Sequence, residues 1–449
     1  MSNKKLYFTI NGYYKYVLFC EPKNIYYFLE EQDKYFTDVY VPTDDPDLII
    51  TTINNDKGIF SSNIFELGEK HDLSDPQTHK YIISQGANIN DEDNPALDWA
   101  CEFGHCEVVE FFIGKNIDIK NKINSALSSA SKNGNLKVLK LLIPYVTNIN
   151  DSDALENACY YDHYEVVEFL INHGANVKGG SEIVSASCTG NIKIVDLLIK
   201  CGADVTIDDN DAIIMASSCG HVEIVKLLIE HGADIASHDN KAFISAASYN
   251  HLEIVKCLIE HGADINQNDD CNNNALIYVC ENGYYEIVEL LIKCGADITA
   301  NNNSALRYAC ENGHLKIVKL LIKCGADITA KNNSALTKAS FFGHLKIVEL
   351  LVKNGVDVTA NNNSALKKAS NNGHHDIVKY LIECGVNVAT EYHSFNLACE
   401  NGYLEIIKLF VNAGFDITQN NNEAFNIALK NNKTNIIEYF IECGIRHNK

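Results

Sequence analysis

One segment of the chain returns almost unchanged about every thirty residues, and this internal repeat limits what the protein can fold into. The stretch GHLKIVKLLIKCGADITA at 313–330 has near copies on both sides, and the position of Gly313 recurs twelve times between Gly104 and Asn432. Successive spacings run from 28 to 33 residues. Because a unit of that length is too short to be stable alone, neighbouring units must stack and share one core.

Each copy predicts two short helices. Leu306, Ala309 and Cys310 fall at i, i+3 and i+4, which is the spacing of one helix face. Ser304 precedes this first helix as a predicted N-cap. Gly313 follows it, where a positive φ favours glycine. The second helix is apolar over most of its circumference, so we expect it to form the main core.

Two helices, a glycine after each and a Gly-Ala-Asp turn resemble the ankyrin repeat. The resemblance covers residues 73–449, as a half repeat at 73–94 and then twelve copies of about 30 residues. It implies an all-α ankyrin-repeat solenoid. The copies depart from the family's Thr-Pro-Leu-His signature, since Ser304-Ala305-Leu306-Arg307 stands there, and most lack three residues of the projecting β-turn. We therefore expect short fingers, and the missing histidine leaves open how neighbouring loops are joined.

Residues 1–70 do not show the repeat pattern, and their composition predicts a small α+β module in front of the array. Leu6 to Ile10 and Val17 to Cys20 have strand composition, while Asn24 to Glu31 could form a helix. The segments KLYFT, IYYFLE and FELGEKHDL resemble the leader of ankyrin-repeat proteins from giant amoeba-infecting DNA viruses of the mimivirus type. That resemblance implies a viral protein directed at the host.

Charge and hydropathy exclude several classes of partner. Lys plus Arg number 37 against 59 Asp plus Glu, a formal charge of -22, which opposes attraction to nucleic acid or to an anionic bilayer. No apolar run approaches the roughly 18 residues of a membrane span, and Asn11 and Lys15 interrupt any export signal. We expect a monomer that is intracellular and cytoplasmic, in the host cytoplasm if viral, with no nucleic-acid or membrane partner.

The residues that often carry chemistry follow the repeat. The 16 cysteines include no C-x-x-C pair, and their repeated positions favour small hydrophobic residues over a metal or redox site. Histidines recur at the start of the second helix in seven copies, where they can satisfy local backbone groups. No phosphate-binding glycine loop is present. We predict no metal, no cofactor and no enzyme activity, and about 70 residues leave little room for a catalytic domain with an ankyrin arm.

The candidate binding residues are those whose side chains differ between copies and so do not follow the repeat pattern. Outward positions of the first helices change sign along the chain, from acidic near Asp98 to basic in later copies. The ankyrin resemblance implies that partners bind the concave surface formed by these helices and the turn tips. A basic row there favours an acidic segment of a host protein. The predicted partner-binding residues are Trp99, Arg307, Tyr308, Glu311, Lys338, Lys367 and Lys368, with Glu311 bounding one end of the row by charge repulsion.

Two alternatives stay open for this surface. It could be an ordinary solvent-exposed face whose residues vary without selection for binding. Trp99, the single tryptophan, could be either a partner anchor or a core residue beneath the N-terminal module.

The resemblance also implies that Asn90 and Asn266 match the turn asparagine modified by an oxygen-dependent asparaginyl hydroxylase. The function predicted is a non-catalytic protein-binding scaffold. The alternative is a substrate-selecting adaptor that recruits a ubiquitin ligase or other machinery through residues 1–70.

Overall fold

A computed structural model describes residues 4–10, 18–21, 24–26, 34–54, 59–89, 95–115, 119–178, 180–269 and 274–445. The chain divides into two compact units. Unit 1 comprises Met1–Ala216 and Glu223–Ala233, and unit 2 comprises Ser217–Val222 and Asp234–Lys449.

Unit 1 begins with an antiparallel sheet. Its strands are β1 (Lys4–Ile10), β2 (Leu18–Cys20), β3 (Tyr35–Pro42), β4 (Ile50–Asn54), β5 (Ile59–Ser62) and β6 (Glu66–Asp72), in the order β4-β5-β2-β1-β3-β6. Val39 and Val41 of β3 are buried on its inner side. The two predicted strands are thus confirmed. The helix predicted at 24–31 is described only at 24–26, which form a single 3₁₀ turn, and its remainder lies outside the described residues.

The sheet is joined to the first helix, α1 (Pro76–Ser84), by buried polar contacts. The Tyr81 hydroxyl of α1 donates to Asp38 Oδ2 of β3 at 3.1 Å. His79 lies between the Tyr26 hydroxyl, 3.2 Å from Nδ1, and the Leu73 carbonyl oxygen, 2.7 Å from Nε2. These contacts place the strands and the first helices in one unit, while the division at residue 70 stays a prediction.

Beyond α1 the described residues contain twelve helix pairs, one for each predicted copy. The first helices are α2 (Ala96–Glu102), α4 (Ile119–Lys132), α6 (Ala154–Tyr160), α8 (Glu182–Thr189), α10 (Ile207–Cys219), α12 (Ser237–Ser248), α14 (Ala275–Asn282), α16 (Ala300–Glu311), α18 (Ala330–Phe342), α20 (Ala360–Asn371), α22 (Tyr392–Asn401) and α24 (Gln419–Lys430). The second helices are α3 (Cys106–Gly114), α5 (Leu136–Leu142), α7 (Tyr164–Asn172), α9 (Ile192–Lys200), α11 (Val222–Glu230), α13 (Leu252–Glu260), α15 (Tyr285–Lys293), α17 (Leu315–Lys323), α19 (Leu345–Lys353), α21 (His375–Glu383), α23 (Leu404–Asn412) and α25 (Thr434–Glu442). Short 3₁₀ helices lie at Ile143–Tyr145, Ile149–Asp151 and Val388–Thr390. The predicted helix–turn–helix array is confirmed.

The core of each copy matches the sequence pattern. In α17, Ile317, Val318 and Leu321 are buried. Ala309 of α16 is fully buried where first helices of neighbouring copies pack together, as its small side chain predicts. Gly313 follows α16 with a φ of 81°, which confirms the predicted left-handed end of the first helix.

Five copies replace the projecting finger by three consecutive left-handed residues. They lie near the start of the ranges given for α10, α12, α16, α18 and α20, at 208–210, 238–240, 301–303, 331–333 and 361–363, with φ of 48–70° and ψ of 33–51°, so the right-handed helix of each copy begins after them. Asn and Asp fill most of these positions because they adopt this conformation more readily than other L-residues. This turn also corrects one prediction. The Ser304 hydroxyl donates back to the Asn301 carbonyl oxygen at 2.9 Å instead of capping the helix.

Histidines at the start of the second helices join neighbouring copies. His344 Nε2 lies 2.9 Å from the Glu311 carbonyl oxygen, 33 residues earlier. The prediction of local backbone partners is wrong for five of the seven histidines, because their rings reach the preceding copy. The same contact is made by four other pairs: His163 with Lys132, His251 with Ser218, His314 with Glu281 and His374 with Phe341.

Glycine leaves the space that these histidines need. A Cβ added to Gly313 would lie 2.7 Å from the His344 ring, closer than real side chains approach.

Asparagines of the left-handed turns supply a second connection between neighbouring copies, since Asn303 Oδ1 accepts from the Asp327 N–H at 2.8 Å. Together these bonds join neighbouring loops without the family's signature histidine.

Candidate partner-binding face

The candidate site is the first-helix face of unit 2, by which we mean the outward side chains of α16, α18 and α20 and the turns that precede these helices. The three helices are neighbours in the stack. Arg307 of α16 is half-buried and folds back on its own turn. Its Nε lies 3.3 Å from the Asn302 carbonyl oxygen and its Nη2 3.3 Å from that of Asn301. Its charge therefore stabilises the carbonyl groups of the left-handed turn.

Lys338 of α18 is paired with a carboxylate. Its Nζ lies 3.0 Å from Glu311 Oε1, and the two side chains are 40% and 20% exposed. Glu311, which we predict to repel negative charge at one end of the row, is held in this ion pair, and its effect on a partner stays a prediction. Tyr308, beside Arg307, is half-buried, and its ring centroid lies 5.9 Å from the guanidinium carbon.

Two phenylalanines that we did not select from the sequence lie among the lysines. Lys368 Nζ is 5.6 Å from the Phe341 ring centroid, and Lys338 Nζ is 6.0 Å from that of Phe342. The two rings meet edge to face at 4.7 Å, and Phe342 is 44% exposed. Lys368 is exposed and Lys367 half-buried. The face is thus a mixed cation and aromatic surface instead of a simple basic row.

A sequence signal for these aromatics exists. The position of Phe342 is occupied by Asn312 and Asn372 in the copies on either side. The same position also carries Phe103, Tyr161 and Tyr249 in other copies, so an aromatic residue there is a weaker sequence signal than the lysines.

Trp99 lies in the core of unit 1. Its side chain is 5% exposed, and its ring packs 4.8 Å from His105 and 5.5 Å from Phe103. So little exposed area favours the core alternative over a partner anchor.

The first helices of unit 1 carry carboxylates at outward positions. Asp98 Oδ2 accepts from the Ser125 hydroxyl at 2.7 Å, and burial raises the pKa of Asp98. Glu102 accepts from Lys132 at 3.3 Å. The positive charge of the outward positions is thus a property of unit 2.

Asn266 occupies a turn between copies. Its exposed amide donates to the Gly295 carbonyl oxygen at 3.3 Å and accepts from the Asp297 N–H at 2.8 Å. The second predicted modification site, Asn90, lies outside the described residues.

Comparison with known families identifies the array. The model for ankyrin repeats in three copies matches residues 120–180, 183–269, 266–332 and 330–392, and the single ankyrin-repeat model matches 92–120. The chain belongs to the ankyrin-repeat family.

Relatives of this ankyrin-repeat protein occur in Acanthamoeba polyphaga mimivirus. The ankyrin repeat protein R838 is 38% identical over 104 residues, which are 22% of this chain and 37% of the relative. R868 is 33% identical over 119 residues, or 26% and 57% of the two chains. L675 is 30% identical over 129 residues, or 28% and 27%. These matches span less than two thirds of each relative and confirm the resemblance to mimivirus-type ankyrin proteins.

Two sets of cysteines in the ankyrin array follow the repeat. The cysteines that follow the alanine of the first helix are buried, and burial raises the thiol pKa, as for Cys280 and Cys310, which favours a packing role. The cysteines before the second glycine are more accessible: Cys294, Cys324 and Cys443 are exposed, and Cys201 and Cys384 are half-buried.

Among the residues that the structure describes, no group of three or more His, Cys, Asp or Glu side chains could hold a metal ion. Across the same ranges no helix is long and apolar enough to cross a membrane.

Proposed function

We propose that this ankyrin-repeat protein is a non-catalytic scaffold that binds a host protein in the cytoplasm, through the first-helix face of unit 2. The observation that supports this most is the grouping of Lys338, Lys367 and Lys368 with Phe341 and Phe342 on adjacent first helices. Aromatic side chains are enriched at the centre of protein interfaces. A stack of helices can present such a surface over several copies without rearranging.

The partner segment that fits this face is acidic. Lys368 has an exposed ammonium group, and the Lys338 pair with Glu311 is open enough to solvent to exchange for another carboxylate. The whole protein carries a charge of -22, so a group of basic side chains is a local exception that can attract an acidic segment.

Affinity purification from amoebal cells tests the proposal with two matched variants of the full chain. One reverses Arg307, Lys338, Lys367 and Lys368 to Glu. The other reverses four exposed lysines of the second helices, Lys316, Lys319, Lys346 and Lys379, to Glu. Both variants therefore change the net charge by the same amount. We expect partners to be lost only from the first variant, and equal loss from both would mean that net charge governs recognition.

The second candidate is the adaptor, with residues 1–70 as the recruiting element. Edge strand β4 favours it, since among the described strands it pairs only with β5. Ile49, Ile50 and Ile53 at this edge are 64%, 40% and 53% exposed, and such an edge can accept a strand from another protein. Ile53→Lys should then remove ubiquitin-ligase subunits from the purified set and leave the other partners. If no ubiquitin-ligase subunits are purified with the wild-type protein, the adaptor function is ruled out.

Asn266 is proposed as a hydroxylation site, together with Asn90. The exposed Asn266 amide bonds backbone groups of the next copy, so a hydroxyl on its Cβ would stand at a junction between copies. Mass spectrometry of protein expressed with an asparaginyl hydroxylase would show the added oxygen, and unmodified peptides covering both residues would end this proposal.

A further inference from the structure

A groove lies on the first-helix side of unit 2, before the cation and aromatic surface along the chain. Its volume is about 470 Å³, within the range of about 300–1,000 Å³ common for ligand pockets. The groove lies between α12, the left-handed turn before it and α14. Its lining residues are His238, Asp239, Lys241, Ile244, Ser245, Ser248, Tyr249, Asp269 and Tyr278.

This groove forms where the repeat spacing is longest. The distance from Asn250 to Gly283 is 33 residues, against 30 in the two copies that follow. Asp269 lies in this longer connection, and its Oδ2 accepts from the Tyr278 hydroxyl at 2.5 Å. Asp239 Oδ1 accepts from Gln267 Nε2 at 3.1 Å. Two carboxylates that line the groove are therefore held by neighbouring side chains.

The chemistry of the walls favours a cation. Asp239 and Asp269 contribute two negative charges and Lys241 one positive charge to the lining, and an ionised carboxylate accepts hydrogen bonds through both of its oxygens. Tyr249 at the rim is 63% exposed, and the Tyr278 ring lines the interior. Aromatic faces attract cations. A planar guanidinium both stacks on such rings and donates to carboxylates in pairs, which an ammonium group cannot do as well.

We infer that this groove binds an arginine side chain of the partner protein. The inference rests on the proposed partner-binding role and adds a second recognition element to it. Neighbouring helices in a stack lie about 8–10 Å apart, so α18 and α20, two and three steps along the stack, lie about 16–30 Å beyond α14. An extended chain covers about 3.3 Å per residue. The partner therefore carries its arginine about five to nine residues from its acidic run.

Selection from a random 16-residue peptide library displayed on phage tests this inference with the full chain as bait. We expect arginine to be enriched above its frequency in the unselected library. The enrichment should disappear with the variant Asp239→Asn/Asp269→Asn and with Tyr249→Ala, which removes only an exposed side chain. It should persist with Glu253→Gln/Glu260→Gln on α13, which removes the same two charges from a second helix.

A selected peptide then gives the quantitative test. Citrulline in place of its arginine keeps the shape and removes the charge, and should weaken binding at least about tenfold, the effect of losing one charged hydrogen bond. Equal binding of both peptides, or no arginine enrichment, overturns the inference. Arginine enrichment without acidic residues would support the groove and contradict the acidic partner proposed above. A library that yields no binding peptide at all overturns both.

Discussion

At the residue scale, the glycine at the Gly313 position has two roles, and only one of them could be predicted from the sequence. Its positive φ follows from its place at the end of a helix. The second role is to leave room for a histidine of the next copy, and it became visible only when the copies were stacked. Ser304 failed as a prediction for a related reason, because three left-handed residues before it turn the backbone away from ordinary N-cap geometry.

Gly313→Ala should destabilise the protein more than Gly325→Ala. Both glycines have positive φ, 81° and 95°, so both variants carry a backbone penalty of about 1 kcal/mol. Only at Gly313 would the new Cβ meet the His344 ring, while nothing lies within 4 Å at Gly325. Displacing that ring also loses its hydrogen bond to Glu311, worth about 1 kcal/mol more. Urea unfolding midpoints measure the difference.

The double variant Gly313→Ala/His344→Ala is the control for this clash. It should regain part of the difference, because the small side chain removes the steric conflict although not the lost bond. Equal destabilisation by the two single glycine variants would contradict the role that we assign to the histidine.

At the element scale, the left-handed turns are the main structural departure from an ordinary ankyrin finger. The sequence predicted that the fingers are short, since three residues are missing, but not that the shortened connection would be left-handed. Asparagine triplets such as 301–303 and 361–363 were the available signal, because asparagine is the L-residue that adopts this conformation most readily.

Lys331→Asn should stabilise the protein. Lys331 adopts φ 51° and ψ 51° at a position where Asn301 and Asn361 stand in neighbouring copies. The left-handed conformation costs ordinary L-residues about 1–2 kcal/mol, so we expect a gain of about half that penalty. The same change at exposed Lys346, within the right-handed helix α19, should lower stability because asparagine is the weaker helix former. Urea unfolding midpoints of both variants test this prediction. A lower stability of the Lys331→Asn variant would contradict the observed left-handed turn.

The junction of the sheet with α1 should weaken in acid. Burial lowers the pKa of His79 from 6.5 to about 4, although its hydrogen bond to the Leu73 carbonyl oxygen acts in the opposite direction. Between these values the unfolded chain binds more protons than the folded one, so this contribution is complete above pH 6.5 and falls as the pH drops toward 4. The shift corresponds to roughly 3 kcal/mol.

Fluorescence of Trp99, the single tryptophan, measures this transition, since its ring lies beside His105 in unit 1. His79→Gln should reduce the change in emission between pH 6.5 and 4. A smaller change remains from His105, whose pKa burial also lowers. An identical acid transition in the variant would rule out His79 as its main source.

At the scale of the whole molecule, the repeat predicted most of the fold. Twelve helix pairs, their buried faces and the positive-φ residue, most often glycine, after the first helix follow from periodicity alone. The candidate site was predicted less completely. Lys338 and Lys368 could be predicted because these residues do not follow the repeat pattern. The pairing of Lys338 with Glu311 and the contact of Lys368 with the Phe341–Phe342 cluster depend on contacts between copies. Those contacts join residues about thirty positions apart, which no local pattern specifies.

The most direct test of the proposed binding face is lysine footprinting of the protein in complex with a partner captured from host cells. Acetylation of each lysine is compared by mass spectrometry with that of the free protein. We expect protection of Lys338, Lys367 and Lys368 on the first helices, with Lys316 and Lys346 on the second helices modified as in the free protein. Protection of the second-helix lysines alone, or of the N-terminal lysines alone, would contradict the account.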